Sequence, residues 1–207
     1  MTYIFDFDGT LVDSMPAFAK TMVRILEENE IKYPVDIVKV ITPLGYKGTA
    51  EYAIELGLNM SVDEFIKTAL DYIKDEYEKN ISAKEHVKEK LKELKEKGNS
   101  LNVLTASPHS VLDVCLKRLE LYQLFDNVWS SDEFEYTKAQ SEIYVEVSKR
   151  LKKNISDCCF VDDNVNAIYT AKKAGMFCIG VYDKTSETSI DDMKKVADRY
   201  IYDFSEL

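Results

Sequence analysis

Short apolar runs, each handed on to a stretch of helical periodicity, recur from one end of this chain to the other, and that alternation limits the folds open to it. Leu101-Asn102-Val103-Leu104, Val128-Trp129-Ser130, Cys158-Cys159-Phe160-Val161 and Phe177-Cys178-Ile179-Gly180-Val181 read as strands, rich in β-branched and aromatic residues. Tyr3-Ile4-Phe5 adds a strand at the front and Tyr200-Ile201 an edge strand at the far end. Helices are expected between them over Glu85–Lys97 (closed by Gly98), Ser110–Glu120, Ser141–Lys152 and Asn166–Ala174 (closed by Gly175). The polar stretch Ser186–Asp198 predicts one last helix. Strands alternating with helices make a parallel sheet covered on both faces, because each crossover lays its helix against the sheet.

The segment from Met15 to Asn80 breaks the alternation. Met15–Glu28 carries Phe18, Met22, Ile25 and Leu26 at helical spacing, with Pro16 in the first turn and Ser14 as the expected N-cap. Val35–Ile41 reads as a short helix. Thr42-Pro43-Leu44-Gly45-Tyr46-Lys47-Gly48-Thr49 reads as a loop with two glycines, followed by a helix through Tyr52, Ile54 and Leu56 to Gly57. Ser61-Val62-Asp63-Glu64 is a capping box opening a long helix through Phe65, Leu70, Ile73 and Tyr77. The expected fold is α/β: a Rossmann-like core of residues 1–14 and 82–207, with an all-helical insert over 15–81.

The first strand ends in Asp6-Phe7-Asp8-Gly9-Thr10. Alternation along an extended chain points Asp6 and Asp8 the same way, with Phe7 opposite. Two carboxylates at the tip of a buried strand raise one another's pKa, and a divalent cation would remove that cost. The pair suits a nucleophile and an acid/base sharing one metal; an acidic surface turn is the plainer alternative. Thr105, Lys138 and Asp162-Asp163 also sit at strand ends or just before the next helix. Open α/β sheets bind ligands at the carboxyl ends of their strands, so the fold would gather these groups in one crevice. Singly, each has a plain reading: Thr105 as a helix cap, Lys138 as a solvated lysine, Asp162-Asp163 as the cap of the following helix.

A formal net charge of −10 argues against a nucleic-acid or anionic-membrane partner, which wants a basic face. An anionic small substrate stays open, since a metal and a few lysines reverse the local potential. The four cysteines include no CxxC, and three lie in apolar runs, so reduced buried thiols and a cytoplasmic setting are expected. No signal peptide or membrane span is evident. His109, after Ser107-Pro108, reads as a surface-turn histidine and His86 as solvated helix. No Gly-x-Ser-x-Gly accompanies them, and Gly45 to Gly48 lacks the spacing of a P-loop.

In order and spacing these groups resemble the haloacid dehalogenase superfamily, in its phosphatase branch. The likeness rests on Asp6-Phe7-Asp8-Gly9-Thr10-Leu11-Val12-Asp13-Ser14, Thr105, Lys138 and Phe160-Val161-Asp162-Asp163, with Ala171 and Ala174-Gly175-Met176 after them. Residues 15–81 lie where that family carries a C1-type cap. Lys138 is followed by Ala139 where many members have proline, and Asp162 replaces a common glycine; neither removes a catalytic group. The resemblance implies a Mg²⁺-dependent phosphatase of a small phosphorylated metabolite. Asp6 would form an aspartyl-phosphate, and Asp8 would act as general acid and then base. Mg²⁺ would sit on the Asp6 carboxylate, the Asp8 backbone carbonyl and Asp163, with Asp162 behind, through water. Thr105, the neighbouring Ala106 and Lys138 would hold the phosphoryl oxygens. Tyr46 and Lys47, in the glycine-bounded loop of the cap, would meet the leaving group, with a solvated lysine as the plain alternative. Two other readings remain: a phosphomutase of the β-phosphoglucomutase type, whose relatives usually carry valine at the place of Thr10, and a non-catalytic phosphometabolite-binding protein.

Overall fold

The computed structural model describes residues 1–41 and 44–207. The chain divides into two compact units, Met1–Asp13 with Ser82–Leu207, and Ser14–Ile81. In chain order, strand β1 (Thr2–Phe5) is followed by helices α1 (Met15–Glu28), α2 (Ile37–Ile41), α3 (Gly45–Glu55), α4 (Val62–Lys79) and α5 (Val87–Glu96). Then come β2 (Ser100–Thr105), α6 (His109–Arg118), β3 (Asn127–Ser130), α7 (Ser141–Arg150), β4 (Cys158–Asp162), α8 (Val165–Ala174), β5 (Phe177–Val181), α9 (Ile190–Val196) and β6 (Arg199–Ile201).

The larger unit is a six-stranded sheet in the order β3-β2-β1-β4-β5-β6, with every pair parallel. β1 lies at its centre, with Phe5 opposite both Val103 and Val161. The strand order turns about β1, so its carboxyl end is the switch point where such sheets leave a crevice. β1 and β4 read as continuous apolar runs because both of their faces are covered. On one face Ile4, Leu104 and Phe160 pack with Ile143, Tyr144 and Val147 of α7, Ile168 and Ala171 of α8 and Met193 of α9. On the other, Phe5 meets Phe204 and Phe125 at ring-centroid distances of 6.2 and 6.3 Å. Burying side chains of this size contributes about 1.5–3 kcal/mol each, which fixes the strand that carries Asp6. Gly175 closes α8 at φ +106, the left-handed conformation that its place after Ala174 predicts. The expected single C-terminal helix is instead a 3₁₀ turn, Lys184–Ser189, running into α9. Asp183 caps that turn by accepting from Thr185 N, which favours the tighter winding.

The second unit contains no strand among its described residues. Met22, Ile25 and Leu26 of α1, Ile37 and Ile41 of α2, Ala50 and Ala53 of α3 and Phe65 and Ala69 of α4 form one buried cluster. The capping box of α4 closes as expected: Ser61 N donates to Glu64 Oε2 at 2.9 Å, and Glu64 N to Ser61 Oγ at 3.3 Å. Ser14 occupies the N-cap position of α1 without a side-chain capping bond, because its backbone is already near-helical at φ −94, ψ −21. The loop expected over residues 42–49 is corrected from Gly45 onward, where the chain is the first turn of α3; Thr42 and Pro43 lie outside the described residues. Tyr46 packs against the unit's core and meets Phe18 edge-on at 6.2 Å, while Thr49 and Ala50 are buried, and this packing outweighs the low helix propensity of the two glycines. Among the described residues no helix is long and apolar enough to cross a membrane.

Candidate active site

Immediately after β1 the chain makes a tight turn, with Leu11 N and Val12 N both donating to Phe7 O and Gly9 N donating to Val12 O. Gly9 sits at φ +75, and a Cβ there would come within 2.6 Å of Asp163 Oδ2. Only glycine fits the turn and lets Asp163 approach it. Asp6 is buried at 6 % exposure, its N–H donating to Val161 O at 2.9 Å. Asp8 is half-buried and accepts from the Ser107 hydroxyl. Ser107 N in turn donates to Thr105 Oγ1 at 3.0 Å, which leaves the buried Thr105 hydroxyl its own proton to donate. Ala106, between them, is exposed.

Lys138, on the segment between β3 and α7, is not a solvated lysine. Its Nζ lies 2.6 Å from Asp6 Oδ1 and 2.6 Å from Asp162 Oδ2, and its backbone carbonyl accepts from Tyr144 Oη at 2.9 Å. Asp162 is fully buried, with Oδ1 accepting from Asn164 N at 2.6 Å. Asp163 is held reciprocally: Thr10 Oγ1 donates to its Oδ1 at 2.8 Å, and its N–H donates to Thr10 Oγ1 at 3.0 Å. Neither aspartate caps α8; Asn164 does, accepting from Asn166 N and Ala167 N. Asp162-Asp163 are therefore free of the plain capping role.

Burial, reinforced by the Asp6 charge and opposed by Lys138, pushes the Asp162 carboxyl up to about 7. Asp163 is raised by burial and by the charges of Asp162 and Asp6, with the Thr10 hydroxyl a partial offset. Burial alone would lower Lys138, but Asp162 and Asp6 outweigh it and hold the ammonium charged. Carboxylate oxygens of Asp6, Asp162 and Asp163 lie within 4.8 Å of one another. Three carboxylates against one ammonium leave a formal charge of −2, in an all-oxygen donor set. That set fits a hard divalent cation such as Mg²⁺. Because Asp162 is engaged by Lys138 and Asn164, Asp6 and Asp163 are the carboxylates available to it.

Three participants escaped the sequence. Thr10 anchors Asp163 and Ser107 anchors Asp8. Lys84 Nζ donates to Gly9 O and, at 2.7 Å, to Tyr182 O, and pairs with Asp183 Oδ2 at 2.9 Å, which fixes the turn from the opposite side. Both histidines differ from expectation: His86 stands at the N-cap of α5 in the left-handed region (φ +60), paired with Asp203, and His109 is the first residue of α6, between Asp113 and Glu133. Tyr46 and Lys47 belong to the helical unit. Tyr46 is half-buried; Lys47 is exposed and 3.8 Å from Glu51, one helical turn on.

A family model described as haloacid dehalogenase-like hydrolase matches residues 3–181. The chain is 27 % identical over 187 residues to a phosphoglycolate phosphatase of Psychrobacter arcticus, covering 86 % of this chain and 81 % of that one. It is 26 % identical over 174 residues to a phosphorylated carbohydrates phosphatase of Thermotoga maritima, covering 84 % and 81 %. In fold it resembles the crystal structure of a predicted phosphoglycolate phosphatase from Haemophilus somnus, with a TM-score of 0.81 at 20 % identity over 99 % of this chain and 95 % of the other.

Proposed function

Because the chain belongs to the haloacid dehalogenase-like hydrolases, we propose that it is a Mg²⁺-dependent phosphatase that hydrolyses a small phosphomonoester through an aspartyl-phosphate on Asp6. The observation that carries this reading is the contact of Lys138 with Asp6 and Asp162 beside Asp163, at the carboxyl end of the central strand. A fixed ammonium next to a buried carboxylate is a cradle for a phosphoryl group at its point of attack.

Asp6 attacks phosphorus, and the oxygen–phosphorus bond to the leaving group breaks. Asp8, oriented by Ser107, gives its proton to the leaving oxygen and then takes one from the water that hydrolyses the phosphoenzyme. Lys138 and Thr105 take up charge on the non-bridging oxygens as it redistributes. Bound by Asp6, Asp163 and the Asp8 backbone carbonyl, with Asp162 behind, Mg²⁺ would neutralise the charge shared by nucleophile and phosphoryl group. The helical unit is assigned the choice of leaving group, through Tyr46 and Lys47. The relatives' names support a phosphorylated organic acid or sugar as substrate class. Four buried free thiols support a reducing, cytoplasmic setting.

The test is phosphate release from a panel of phosphorylated metabolites, ranked by kcat/KM, in Mg²⁺ and in EDTA. Turnover that needs Mg²⁺ is expected; full activity in EDTA would refute the assignment. Isomerisation of a sugar phosphate without phosphate release would point to the mutase, and binding without turnover to a non-catalytic protein.

A further inference from the structure

The ring of His109 lies between two carboxylates: Nδ1 is 2.8 Å from Asp113 Oδ1, and Nε2 is 2.9 Å from Glu133 Oε1. A neutral imidazole carries one N–H. It can donate to one of these oxygens, and the other contact would then set a lone pair against an anion. Both contacts hold together only in the imidazolium. Asp113 lies one turn along α6, whereas Glu133 ends the 3₁₀ turn after β3, Ser131–Glu133, where its Oε1 also accepts from Ser130 N at 2.8 Å. The ring therefore joins two stretches that are distant in sequence. One side leads back directly to Ser107, Ala106 and Thr105; the other leads on to Lys138. Beyond these carboxylates, Lys117 stands 4.0 Å from Asp113, and Arg150 of α7, itself paired with Glu146 at 2.6 Å, donates to Glu133 O at 3.0 Å.

We propose that His109 is a positioning residue of the phosphoryl site: its protonated ring clasps the Thr105–Ser107 loop to the segment carrying Lys138, and the clasp opens when the ring loses its proton. This rests on the function proposed above and deepens it, giving the two phosphoryl-holding groups a shared, proton-dependent tether. Hydrogen bonds from the ring to Asp113 and then Glu133 raise its pKa above the ordinary histidine value. A raised pKa makes the contribution fully present below the unfolded value of about 6.5, and it is lost as pH rises through the higher folded value. The groups are partly exposed, with side-chain exposures of 42 % for His109 and 39 % for Glu133. The effect is therefore that of a solvent-screened pair, about two- to fivefold in an equilibrium.

The experiment uses the full chain labelled with ¹⁵N and inorganic phosphate as the ligand. Below its midpoint the His109 ring should show both nitrogens protonated, with a midpoint above about 6.5 that falls in Glu133→Gln. The Ser107 and Lys138 backbone amides should share an inflection at that midpoint. Asp162 titrates nearby, so the inflection that counts is the one lost in His109→Gln. Phosphate affinity should weaken about two- to fivefold more across it in wild type than in His109→Gln, which keeps the background from Asp162 and from phosphate's own ionisation. A midpoint at or below the ordinary histidine value, or amides of Ser107 and Lys138 that ignore it, would overturn the clasp. Should His109→Gln fail to fold, Glu133→Gln must move the ring midpoint and the amide inflection together, or the idea falls. A wild type that binds no phosphate sinks the phosphoryl-site reading, while the amide titration still decides the clasp.

Discussion

Replacing Thr10 with valine tests how much of the site is held by one hydroxyl. Thr10 is fully buried, and its Oγ1 both donates to Asp163 Oδ1 at 2.8 Å and accepts from Asp163 N at 3.0 Å. Valine keeps the shape and loses both bonds. A hydrogen bond to a carboxylate contributes about 1.5–3 kcal/mol, and a buried N–H left unpaired costs about 1–3 kcal/mol. Asp163 is drawn toward its protonated form by burial and by Asp162 and Asp6, which weakens the charged bond. The lower part of the range therefore applies, about 3 kcal/mol, a large share of a typical domain stability of about 5–15 kcal/mol. Urea unfolding of the metal-free protein at neutral pH would read it, and a change below about 1 kcal/mol would refute the two-bond account. The second readout is the Mg²⁺ concentration for half-maximal phosphatase activity. Losing a residue that orients a metal-binding carboxylate should raise it about 10–100-fold. Lost stability with an unchanged Mg²⁺ requirement would show that Thr10 braces the fold and does not orient Asp163 for metal.

Asp6→Asn should lower kcat by several orders of magnitude while the unfolding midpoint stays near wild type; substantial residual turnover would remove Asp6 as nucleophile. Asp8→Asn should still accept phosphate from an aryl phosphate, whose leaving group needs little proton help, but hydrolyse the phosphoenzyme about 10²–10⁴-fold more slowly. Mass spectrometry after acid quench should then find one added, hydroxylamine-labile phosphate, and turnover of alkyl phosphates at the wild-type rate would contradict the acid/base role. The raised pKa of Asp163 makes a pH prediction of the opposite sign to that of an ordinary paired carboxylate. The unfolded chain gives up this proton at about pH 3.9, before the folded one, so in the metal-free protein Asp163 contributes a loss of stability as pH rises above that point. Asp163→Asn removes part of that fall, and melting curves in EDTA between pH 4 and 8 with equal slopes for both proteins would count against it.

What the sequence displayed and what it hid divide along one physical line. Strands β1 and β4 were legible because both of their faces are buried, so they are written as unbroken apolar runs. The bounds of α1 emerged from Pro16 and a regular apolar stripe, both local signals. The first turn of α3 did not, since Gly45 and Gly48 say loop locally and only the packing of Tyr46 and Ala50 says helix. The same division runs through the site. Asp6, Asp8, Asp162 and Asp163 announce themselves as carboxylates at strand ends. Thr10, Ser107 and Lys84 find their partners 153, 99 and 75 residues away, and nothing around Lys84 in Ala83-Lys84-Glu85 distinguishes it from a solvated lysine.

The charge balance of the site belongs to this hidden part. From the sequence, two aspartates after β1 could be a solvated turn, and Lys138 could be any lysine in a polar stretch. Once the parallel sheet brings β1 and β4 side by side, three carboxylates share one buried end of the sheet. The Tyr144 hydroxyl holds the Lys138 backbone where its ammonium reaches two of them. One cation against three anions is a deficit that burial makes expensive, as the raised pKa values of Asp162 and Asp163 register. A divalent cation bound there would cancel the charge that remains. The charge deficit that would favour one is set by the pairing of β1 with β4 and the reach of Lys138, and the Asp-x-Asp motif alone would not create it.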